Sequence, residues 1–493
     1  MTLPTHTKVL VIGGGPAGST VATLLARAGI ATMLVERDVF PRYHIGESLL
    51  PSCLEIVELL GARDLLAAQG FMRKPGAYLE WKGEQWSLDF GELRGNYTHA
   101  YQVPRAEFDH MLLKHAAAQG VQVFEGTAVR DIEHTDGRPV AARWEQKASG
   151  LSGVVHFDHV IDASGRKGIL ATRYLHNRRV HSMFKNVAVW GYWQDVQRLP
   201  GEREGAIAVG SIEDGWIWAI PFRDGTTSIG VVLGQEAYRA ALRQHDLETL
   251  YARALAESPL MSEMTAPGRR HGKLRVEQDY SYCADSFAGP GFFLAGDAAC
   301  FLDPLLSTGV HLAMYSGLLA AASLISVHRG EVTEAEAVSY YEQSYRQAYL
   351  RLLVFVGAFY QTRGKAGYYD KAEKLSHFEA DPANLRRAFL NLVSGLEDLA
   401  DAEHTSAHLM GEMQRRIEEN LALRQNKDEL LSGATRARAL DNAGFFDGVE
   451  GLASLSPHNQ IDGLYVATQP HLHLARIAPG RAVEIPALSS STS

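Results

Sequence analysis

Residues 8–18 read KVLVIGGGPAG, an apolar run that leads directly into a glycine-rich turn. The run Lys8 to Ile12 has the composition of a strand, and Ser19 to Ala28 and Ala31 to Val35 predict a helix and a second strand. Together they make a βαβ unit, in which the turn glycines let a pyrophosphate approach the backbone at the helix N-terminus. The start of the chain therefore predicts a dinucleotide-binding domain.

The spacing of this motif names the residues expected to contact the dinucleotide. The turn supplies Gly13, Gly15, Ala17 and Gly18. Glu36 lies 18 residues after Gly18, at the end of the second strand, where a carboxylate can hold ribose hydroxyls. A glycine motif alone is weak evidence, but its place between a strand and a helix makes an ordinary glycine turn the poorer explanation.

The composition fits a globular enzyme and excludes a nucleic-acid partner. The chain has 493 residues, of which 46% are apolar and 21% charged, enough to bury one large core or two fused cores. A formal charge of -9 offers no basic face for phosphates. Cys53, Cys283 and Cys300 have no C-x-x-C spacing, so they fit a reducing cytoplasm better than a disulfide framework or a zinc site.

No membrane segment is expected. The first residues, MTLPTHTKVLVIGGG, have neither the basic region nor the apolar region of a secretory signal. The longest apolar stretch, Thr308 to Val327, is interrupted by His311, Tyr315, Ser316 and Gly317. A buried helix is therefore predicted there rather than a membrane span.

A second acidic motif indicates that the dinucleotide is FAD. The apolar run that begins at Phe292 ends in Gly296-Asp297, where a carboxylate can bind the ribityl chain of a flavin while the next helix points its N-terminus at the ring. Combined with the first βαβ unit, this motif specifies FAD rather than NAD, although alone it could be a simple turn. Asp162-Ala163-Ser164-Gly165 follows another strand and predicts a further packing contact on the nucleotide.

Four more residues complete the predicted FAD contacts. Arg42 and Arg105 lie near predicted helix starts and could each reach a phosphate or the flavin rim. For either arginine alone, a solvated salt bridge is the commoner explanation. Val129 ends a predicted strand, and Pro304 precedes a Ser-Thr-Gly turn.

The element order predicts an α/β fold with a FAD-binding Rossmann-type domain, a mixed β-sheet substrate domain and a helical C-terminal extension. The core is placed at residues 1–365, with nucleotide-binding parts at about 5–50, 100–170 and 285–330 and the β-rich part at about 70–100 and 180–285. Residues 366–493 are predicted to form the helical extension and a disordered tail. The further predicted strands are Ala77 to Trp81, Val121 to Val129, Val155 to Ile161, Asn186 to Trp193, Gly215 to Phe222 and Thr226 to Leu233, and the predicted helices are Val310 to Ser326, Thr333 to Tyr360 and Pro382 to Leu399.

Four separated motifs extend this interpretation: FPRYHIGESLLP (40–51), YQVPRAEFDHMLL (101–113), GWIWAIP (215–221) and GDAACFLDPLLSTGVHLA (296–313). In this order they resemble the FAD-dependent halogenases, and most closely the phenol- and carrier-protein-type members that include the glycopeptide-antibiotic halogenases. The resemblance spans about residues 5–365 and implies a flavin monooxygenase-like fold.

The resemblance also implies a reaction at two sites. Reduced flavin and O₂ form a C4a-hydroperoxide, chloride attacks its distal oxygen, and hypochlorous acid travels through a tunnel to the organic substrate. In the family, chloride is held by a Ser-Thr-Gly turn, here Ser307-Thr308-Gly309, which makes Thr308 and Gly309 the expected chloride-binding residues. A helix cap would use the same amides and is compatible with this role.

Lys74 matches the family lysine that receives the oxidised halogen. It could act as an ammonium that donates a hydrogen bond to HOCl, or as an amine that forms a chloramine. Either role needs a partly desolvated amine. The alternative is a basic surface turn, since Arg73 is adjacent and Lys82 is nearby.

Two further features bear on the substrate. Trp216 and Trp218 alternate on a predicted strand and therefore face the same side, where their indoles could wall the flavin from the substrate, although core packing also explains them. Tryptophan-specific family members carry a glutamate immediately before the Ser-Thr-Gly turn, where this chain has Leu306. We therefore expect a phenolic or tyrosyl-type ring, free or tethered to a carrier protein, rather than a free indole.

These inferences predict a FADH₂-dependent chlorinating enzyme of natural-product biosynthesis. The sequence shows no second nucleotide loop for NAD(P)H, so FADH₂ is expected from a separate flavin reductase. No metal is expected, because His458, His471 and His473 lack supporting carboxylate or cysteine spacing. The rival interpretations are a flavin monooxygenase or reductase of the same fold, and a non-catalytic flavin-binding protein.

Overall fold

The computed structural model describes residues 3–81, 84–92, 98–305, 307–361 and 461–476. The helices are α1 (Pro16–Arg27), α2 (Pro51–Leu59), α3 (Arg63–Ala68), α4 (Arg105–Ala118), α5 (Ile169–Arg173), α6 (Gln235–Leu242), α7 (Leu247–Glu257), α8 (Pro259–Thr265), α9 (Thr308–His328) and α10 (Glu334–Gln361). The strands are β1 (His6–Ile12), β2 (Thr32–Val35), β3 (Met72–Lys74), β4 (Gly76–Trp81), β5 (Glu84–Asp89), β6 (Ala100–Gln102), β7 (Gln122–Phe124), β8 (Thr127–Thr135), β9 (Arg138–Gln146), β10 (Leu151–Asp162), β11 (Arg178–Gln194), β12 (Ile207–Ile212), β13 (Gly215–Pro221), β14 (Thr227–Gly234), β15 (Arg269–Ala284), β16 (Ala288–Gly289), β17 (Phe292–Leu294), β18 (Cys300–Phe301), β19 (Leu464–Ala467) and β20 (His473–Arg476).

The first sheet contains the predicted nucleotide-binding unit. Its strand order is β16-β17-β10-β1-β2-β7, and β1 pairs in parallel with β2 on one side and β10 on the other. Their continuous apolar runs suit strands that are covered on both faces. The chain re-enters this sheet at β17, which pairs in parallel with β10. The predicted βαβ unit and the predicted re-entry near Phe292 are both confirmed.

The second sheet is mixed, with the order β18-β15-β11-β14-β13-β12-β4-β5. Strand β13 is buried on both faces because side chains alternate along it. Trp216 and Trp218 face the core shared with the first sheet, whereas Ile217 and Ala219 face a separate core beneath α7 and α8. The two tryptophans therefore lie on one side, as their alternation predicts. The boundaries assigned to the two domains stay a prediction.

Helix α9 joins the two sheets and is apolar on all sides. By length and composition it could cross a membrane, but 94% of its most apolar window is buried inside the protein. It packs closely on α1, since a Cβ added to Gly317 would lie 2.7 Å from the carbonyl oxygen of Ala17. The stretch Thr308 to Val327 is thus a buried core helix, as predicted.

Two regions differ from the prediction or extend it. The predicted strand Val121 to Val129 is split into β7 and β8, because Gly126 turns the chain with a φ of 63°. Within the predicted C-terminal extension, the described residues 461–476 form the hairpin β19–β20 rather than a helix. The hairpin docks on α9, where Ser326 Oγ accepts a hydrogen bond from the Leu474 amide at 2.8 Å. The predicted helix Pro382 to Leu399 and the predicted tail lie outside the described residues.

Candidate active site

The glycines of the first turn have different structural roles. A Cβ on Gly13 would lie 2.2 Å from the carbonyl oxygen of Ala163, and one on Gly18 would lie 1.9 Å from that of Gly13. Backbone packing leaves no space for a side chain at either of these two positions. A Cβ on Gly15 would meet only Arg42 Nη2, at 3.3 Å. Gly15 is therefore the glycine whose bare backbone faces a cationic side chain, as a pyrophosphate site requires.

Glu36 is buried and braces the same turn. One carboxylate oxygen accepts a hydrogen bond from the Gly14 amide at 2.7 Å and the other from the Asp38 amide at 2.8 Å. The Thr127 amide donates to the Glu36 carbonyl at 2.7 Å, which brings the buried Val129 of β8 to this edge of the sheet. Each carboxylate oxygen keeps a second lone pair. Ribose binding by Glu36 and a cofactor contact by Val129 stay predictions.

Arg42 and Arg105 share one buried carboxylate, that of Asp109. Arg105 binds it in a bidentate manner, with Nε and Nη2 at 2.7 and 3.0 Å from the two oxygens, and Arg42 Nη1 is 3.1 Å from one of them. Burial raises the pKa of Asp109, but Arg105 and Arg42 outweigh it and hold that pKa below its usual value. The two arginines are therefore not a pair of solvated salt bridges. With one carboxylate for two guanidiniums, the cluster keeps an excess positive charge beside Gly15.

Asp297 lies on a single 3-10 turn between β17 and α9. A Cβ on Gly296 would lie 3.2 Å from the Ala17 side chain, so this turn abuts the first glycine turn. Burial raises the pKa of Asp297, and Arg166, Arg105 and Arg178 oppose that rise. The predicted flavin carboxylate and the predicted phosphate arginines are thus brought together. The bare Gly15 backbone, the positive cluster and this carboxylate fit FAD.

The Asp162 carboxylate forms hydrogen bonds within its own loop and does not reach outward. One carboxylate oxygen accepts from the Ser164 amide at 3.0 Å and the other from the Leu170 amide at 2.7 Å, at the start of α5. Asp162 is fully buried. The motif packs against Gly13 through Ala163, so it shapes the nucleotide turn from behind.

The N-terminus of α9 offers a site for a small anion. Thr308 is 1% exposed, and its Oγ1 has no hydrogen-bond partner among the described residues. The first amides of a helix have no intrahelical partner, and a Cβ on Gly309 would meet nothing within 4 Å. The Pro304 carbonyl accepts from the Ser307 amide at 3.1 Å and fixes the turn. Leu306 lies outside the described residues.

Lys74 is buried, with 2% of its surface exposed. Its strand β3 pairs with β6, and Nζ donates a hydrogen bond of 2.8 Å to the Leu49 carbonyl. Nζ also lies 5.3 Å from the centroid of the Phe90 ring, and it makes no ion pair with a described residue. Burial lowers the pKa of Lys74 to about 7, with Cys53 acting weakly in the opposite direction. A basic surface turn is therefore excluded, and the desolvated amine is present.

Trp216 and Trp218 form a packed indole pair at the face of the second sheet. They are 1% and 5% exposed, and their ring centroids are 5.9 Å apart. The Trp218 ring lies across Gly230, where an added Cβ would come within 2.0 Å of it. Its Nε1 donates to Ser228 Oγ at 3.3 Å. The pair is rigidly held, and its role as a flavin wall stays a prediction.

Two buried carboxylates were given no role from the sequence. Asp109 and Glu47 lie inside quoted motifs, but a motif does not show that a carboxylate is buried or which residues share it. His311, in the first turn of α9, contacts Ser52 of α2 through a 2.8 Å hydrogen bond. This contact links the helix that begins at the predicted chloride turn with the helix that follows Leu49, the partner of Lys74.

The histidines of the C-terminal hairpin contact neighbouring groups. His471 Nε2 is 3.5 Å from Glu331, and His473 Nδ1 is 2.8 Å from the His471 carbonyl. His458 lies outside the described residues. In the part of the chain that the structure describes, no group of three or more histidine, cysteine, aspartate or glutamate side chains is arranged to hold a metal ion.

Comparisons with known proteins identify the family. The family model described as a FAD binding domain matches residues 6–351. A tryptophan 2-halogenase of Chondromyces crocatus is 43% identical, over 97% of this chain and 95% of the relative. A flavin-dependent halogenase of Armillaria mellea is 40% identical, over 81% of this chain and 82% of the relative.

A solved structure shows the same relationship in three dimensions. The myxobacterial chondrochloren halogenase, a FAD-dependent enzyme, superposes with a TM-score of 0.70 at 35% identity, over 83% of this chain and 97% of that chain. The sequence similarity and the shared fold agree. This chain belongs to the flavin-dependent halogenases and uses FAD as its cofactor.

Proposed function

We propose that this halogenase chlorinates an electron-rich aromatic ring of phenolic or tyrosyl type, and that Lys74 handles the oxidised halogen. The observation that carries the proposal is the buried Lys74 amine, which has a backbone carbonyl and no carboxylate as its partner. An exposed lysine would be paired with water and inert. A buried lysine without a carboxylate partner costs folding free energy and is typical of a functional site.

The other predicted residues receive complementary roles. When bound as FADH₂, the cofactor would supply two electrons to O₂, which takes its other two electrons from chloride and so yields hypochlorous acid and water. Thr308 and Gly309 hold the chloride through the free amides of α9, and the unpartnered Thr308 hydroxyl can donate to it. A separate flavin reductase provides FADH₂. The three buried, free cysteines support a reducing, cytoplasmic setting.

The tryptophan pair would separate the two sites. Two indoles packed on one face of β13 would form a wall there that keeps an aromatic ring away from the flavin. Hypochlorous acid is small enough to pass to Lys74. As an ammonium, Lys74 would donate a hydrogen bond to the oxidant, whereas as a neutral amine it would form a chloramine.

Two substrate classes are weighed. Leu306 favours a phenol, because a phenol oxygen stabilises the arenium cation itself and needs no carboxylate before the Ser-Thr-Gly turn. The second candidate is an indole halogenated beside its own nitrogen, and it is favoured by the 43% identity with a tryptophan 2-halogenase. Attack at that carbon places the cation on a benzylic carbon away from the nitrogen, so an indole receives less internal stabilisation than a phenol, and Leu306 favours the phenol.

One assay separates all of these functions. The enzyme is incubated with a flavin reductase, NADH and chloride, and in turn with free tyrosine, a carrier-bound tyrosyl group and free tryptophan. Mass spectrometry of each product is expected to show a gain of chlorine on the phenolic substrates. Chlorination of tryptophan alone would establish the second candidate. Gain of oxygen would indicate a monooxygenase, and no change with any substrate would contradict the proposal.

A further inference from the structure

A buried carboxylic acid outside the roles assigned above is connected to the protein surface. Glu47 is 3% exposed, and its Oε1 accepts a hydrogen bond of 2.7 Å from the Tyr192 hydroxyl. That hydroxyl is also 2.9 Å from the Tyr43 hydroxyl. Tyr43 is 42% exposed. The three side chains thus form a continuous hydrogen-bonded path from the interior to solvent.

The inner end of this path lies between the cofactor residues and the indole pair. Arg105, which holds Asp109, also donates to the carbonyl of Gly46 at 3.2 Å, directly before Glu47. On the other side, the Ser228 hydroxyl faces the Glu47 carboxyl and accepts from Trp218. Glu47 Oε2 is buried and makes no well-formed hydrogen bond to a described residue. It is therefore free to exchange a proton with a group at that site.

The hydroxyl of Tyr192 has the connectivity of a relay. It carries one proton and can donate to only one of its two neighbours at a time. When Glu47 is ionised, Tyr192 donates to it. When Glu47 is protonated, the bond can reverse, and Tyr192 then donates to Tyr43. The Trp190 indole N–H holds Tyr43 in place by donating to its hydroxyl at 2.8 Å.

We propose that Glu47, Tyr192 and Tyr43 form the path that delivers the proton consumed when chloride is oxidised. The net balance is FADH₂ + O₂ + Cl⁻ + H⁺ → FAD + HOCl + H₂O, so one proton must enter from outside these reactants. Glu47 releases it at Oε2 and regains it from solvent through the two tyrosines. This inference rests on the proposed oxidation of chloride.

The charges around Glu47 agree with a reversible proton carrier. Burial raises its pKa to about 7, while the Tyr192 and Ser228 hydroxyls, Arg105 of α4 and Arg275 of β15 act in the opposite direction. Arg275 stacks on the outer residue, with its guanidinium 3.8 Å from the centroid of the Tyr43 ring. Neither arginine forms a direct ion pair with the carboxylate among the described contacts, so both protonation states are accessible near neutral pH.

The path can be tested without relying on turnover. Infrared spectra of the full-length protein, with FAD bound and after its removal, should contain a protonated-carboxyl band that is absent in Glu47→Gln. After transfer to D₂O, that band should shift at least tenfold more slowly in Tyr192→Phe than in the parent protein. Tyr251→Phe is the matched control, because Tyr251 is a buried tyrosine in the core on the other side of the second sheet. Equal exchange in Tyr192→Phe and the parent would overturn the path.

A second measurement connects the path with the reaction. Reduced, FAD-loaded enzyme is mixed with O₂ and chloride, and hypochlorous acid is captured by a soluble trap. Its formation should slow as pH rises through about 7 in the parent protein. In Glu47→Gln it should be at least tenfold slower and lose this pH dependence, with unchanged FAD affinity. An unchanged rate in Glu47→Gln would contradict the inference, whereas no hypochlorous acid from the parent would count against the proposed function alone.

Discussion

Arg105 and Lys74 are both buried basic side chains, but only Arg105 lies beside a carboxylate that compensates its charge. Arg105 is 6% exposed and is held by the Asp109 carboxylate in two hydrogen bonds. Lys74 is 2% exposed and is held by a single backbone carbonyl. Burial disfavours the charge on Arg105, but Asp109 outweighs it and the pKa of Arg105 is raised. At Lys74 no carboxylate among the described residues offsets the effect of burial, so the pKa of Lys74 falls to about 7.

The difference shows how one fold can keep one buried basic side chain charged and let another lose its charge. A buried cation keeps its charge when a carboxylate and hydrogen bonds compensate its desolvation. The Arg105 region therefore stays positive and suits a phosphate. A buried amine with only a carbonyl partner gives up its proton near neutral pH and can serve as a hydrogen-bond donor or a nucleophile. We expect four measurements to test or refine this contrast.

The largest effect is expected from Lys74→Met, which keeps the volume of the side chain and removes the amine. Halogenation should fall by on the order of a thousandfold, since general acid–base groups contribute roughly 10²–10⁴. FAD affinity, measured by flavin fluorescence, should not change. The control is Lys8→Met, which removes a lysine that is 53% exposed and paired with Asp158. Near-normal halogenation by Lys74→Met would refute the assigned role.

Asp109→Asn should cost about 3 kcal/mol of unfolding free energy, because it leaves the buried Arg105 and the partly buried Arg42 without their carboxylate. Urea denaturation measures it. The matched control is Glu145→Gln, which breaks the exposed pair with Arg130 (2.8 Å) and should cost less than about 1 kcal/mol. Equal losses in the two variants would mean that the Asp109 cluster is not electrostatically distinct from a surface pair.

Gly15→Val should weaken FAD binding on the order of a hundredfold, the equivalent of about 2.7 kcal/mol. The added side chain would occupy the space between the turn backbone and Arg42, where the pyrophosphate is expected. Titration of the FAD-free protein measures the dissociation constant. Gly234→Val is the control, because a Cβ there meets nothing within 4 Å. Retention of parental affinity by Gly15→Val would remove the turn from the FAD site.

The smallest effect, taken per pH unit, concerns the dependence of stability on pH. The pKa of Lys74 is lowered from 10.5 to about 7 in the folded state, so the unfolded chain binds more protons between these values. Stability contributed by this group therefore rises with pH across that window, by at most about 1.4 kcal/mol per pH unit. Lys74→Met removes the dependence, so its advantage over the parent should be largest near pH 7 and shrink toward pH 10. A constant difference across this range would mean that the amine is not desolvated.

Much of the fold was predictable because its signals are local. The strand–turn–helix order around Gly13 to Gly18, the buried helix at Thr308 to Val327 and the shared face of Trp216 and Trp218 each follow from periodicity within a few residues. The break between β7 and β8 was missed because the strand-forming residues on the two sides of Gly126 read as one continuous strand. The hairpin at 461–476 was missed because its short strands are stabilised by docking on α9.

The candidate site was predictable in its members but not in their states. The motifs named Lys74, Arg42, Arg105 and Asp297, yet a surface turn for Lys74, solvated salt bridges for the arginines and a simple turn at Asp297 stayed open as alternatives. Glu47 was present in a quoted motif without any sign that it joins Tyr192, a residue 145 positions away. Such links depend on which distant segments pack together, and no local pattern encodes them.

The sequence by itself determined the cofactor, the order of the elements and the family. Glycine conformations, side-chain alternation and helix-terminal amides act over short stretches, so their residue spacing is enough to recognise them. Only the tertiary structure decided that Lys74 is buried without a counter-ion, that one aspartate serves two arginines, and that Glu47 is connected to solvent. The physical reason is that the charge of a buried group depends on desolvation and on its partners, and both are set by contacts between segments far apart in the chain.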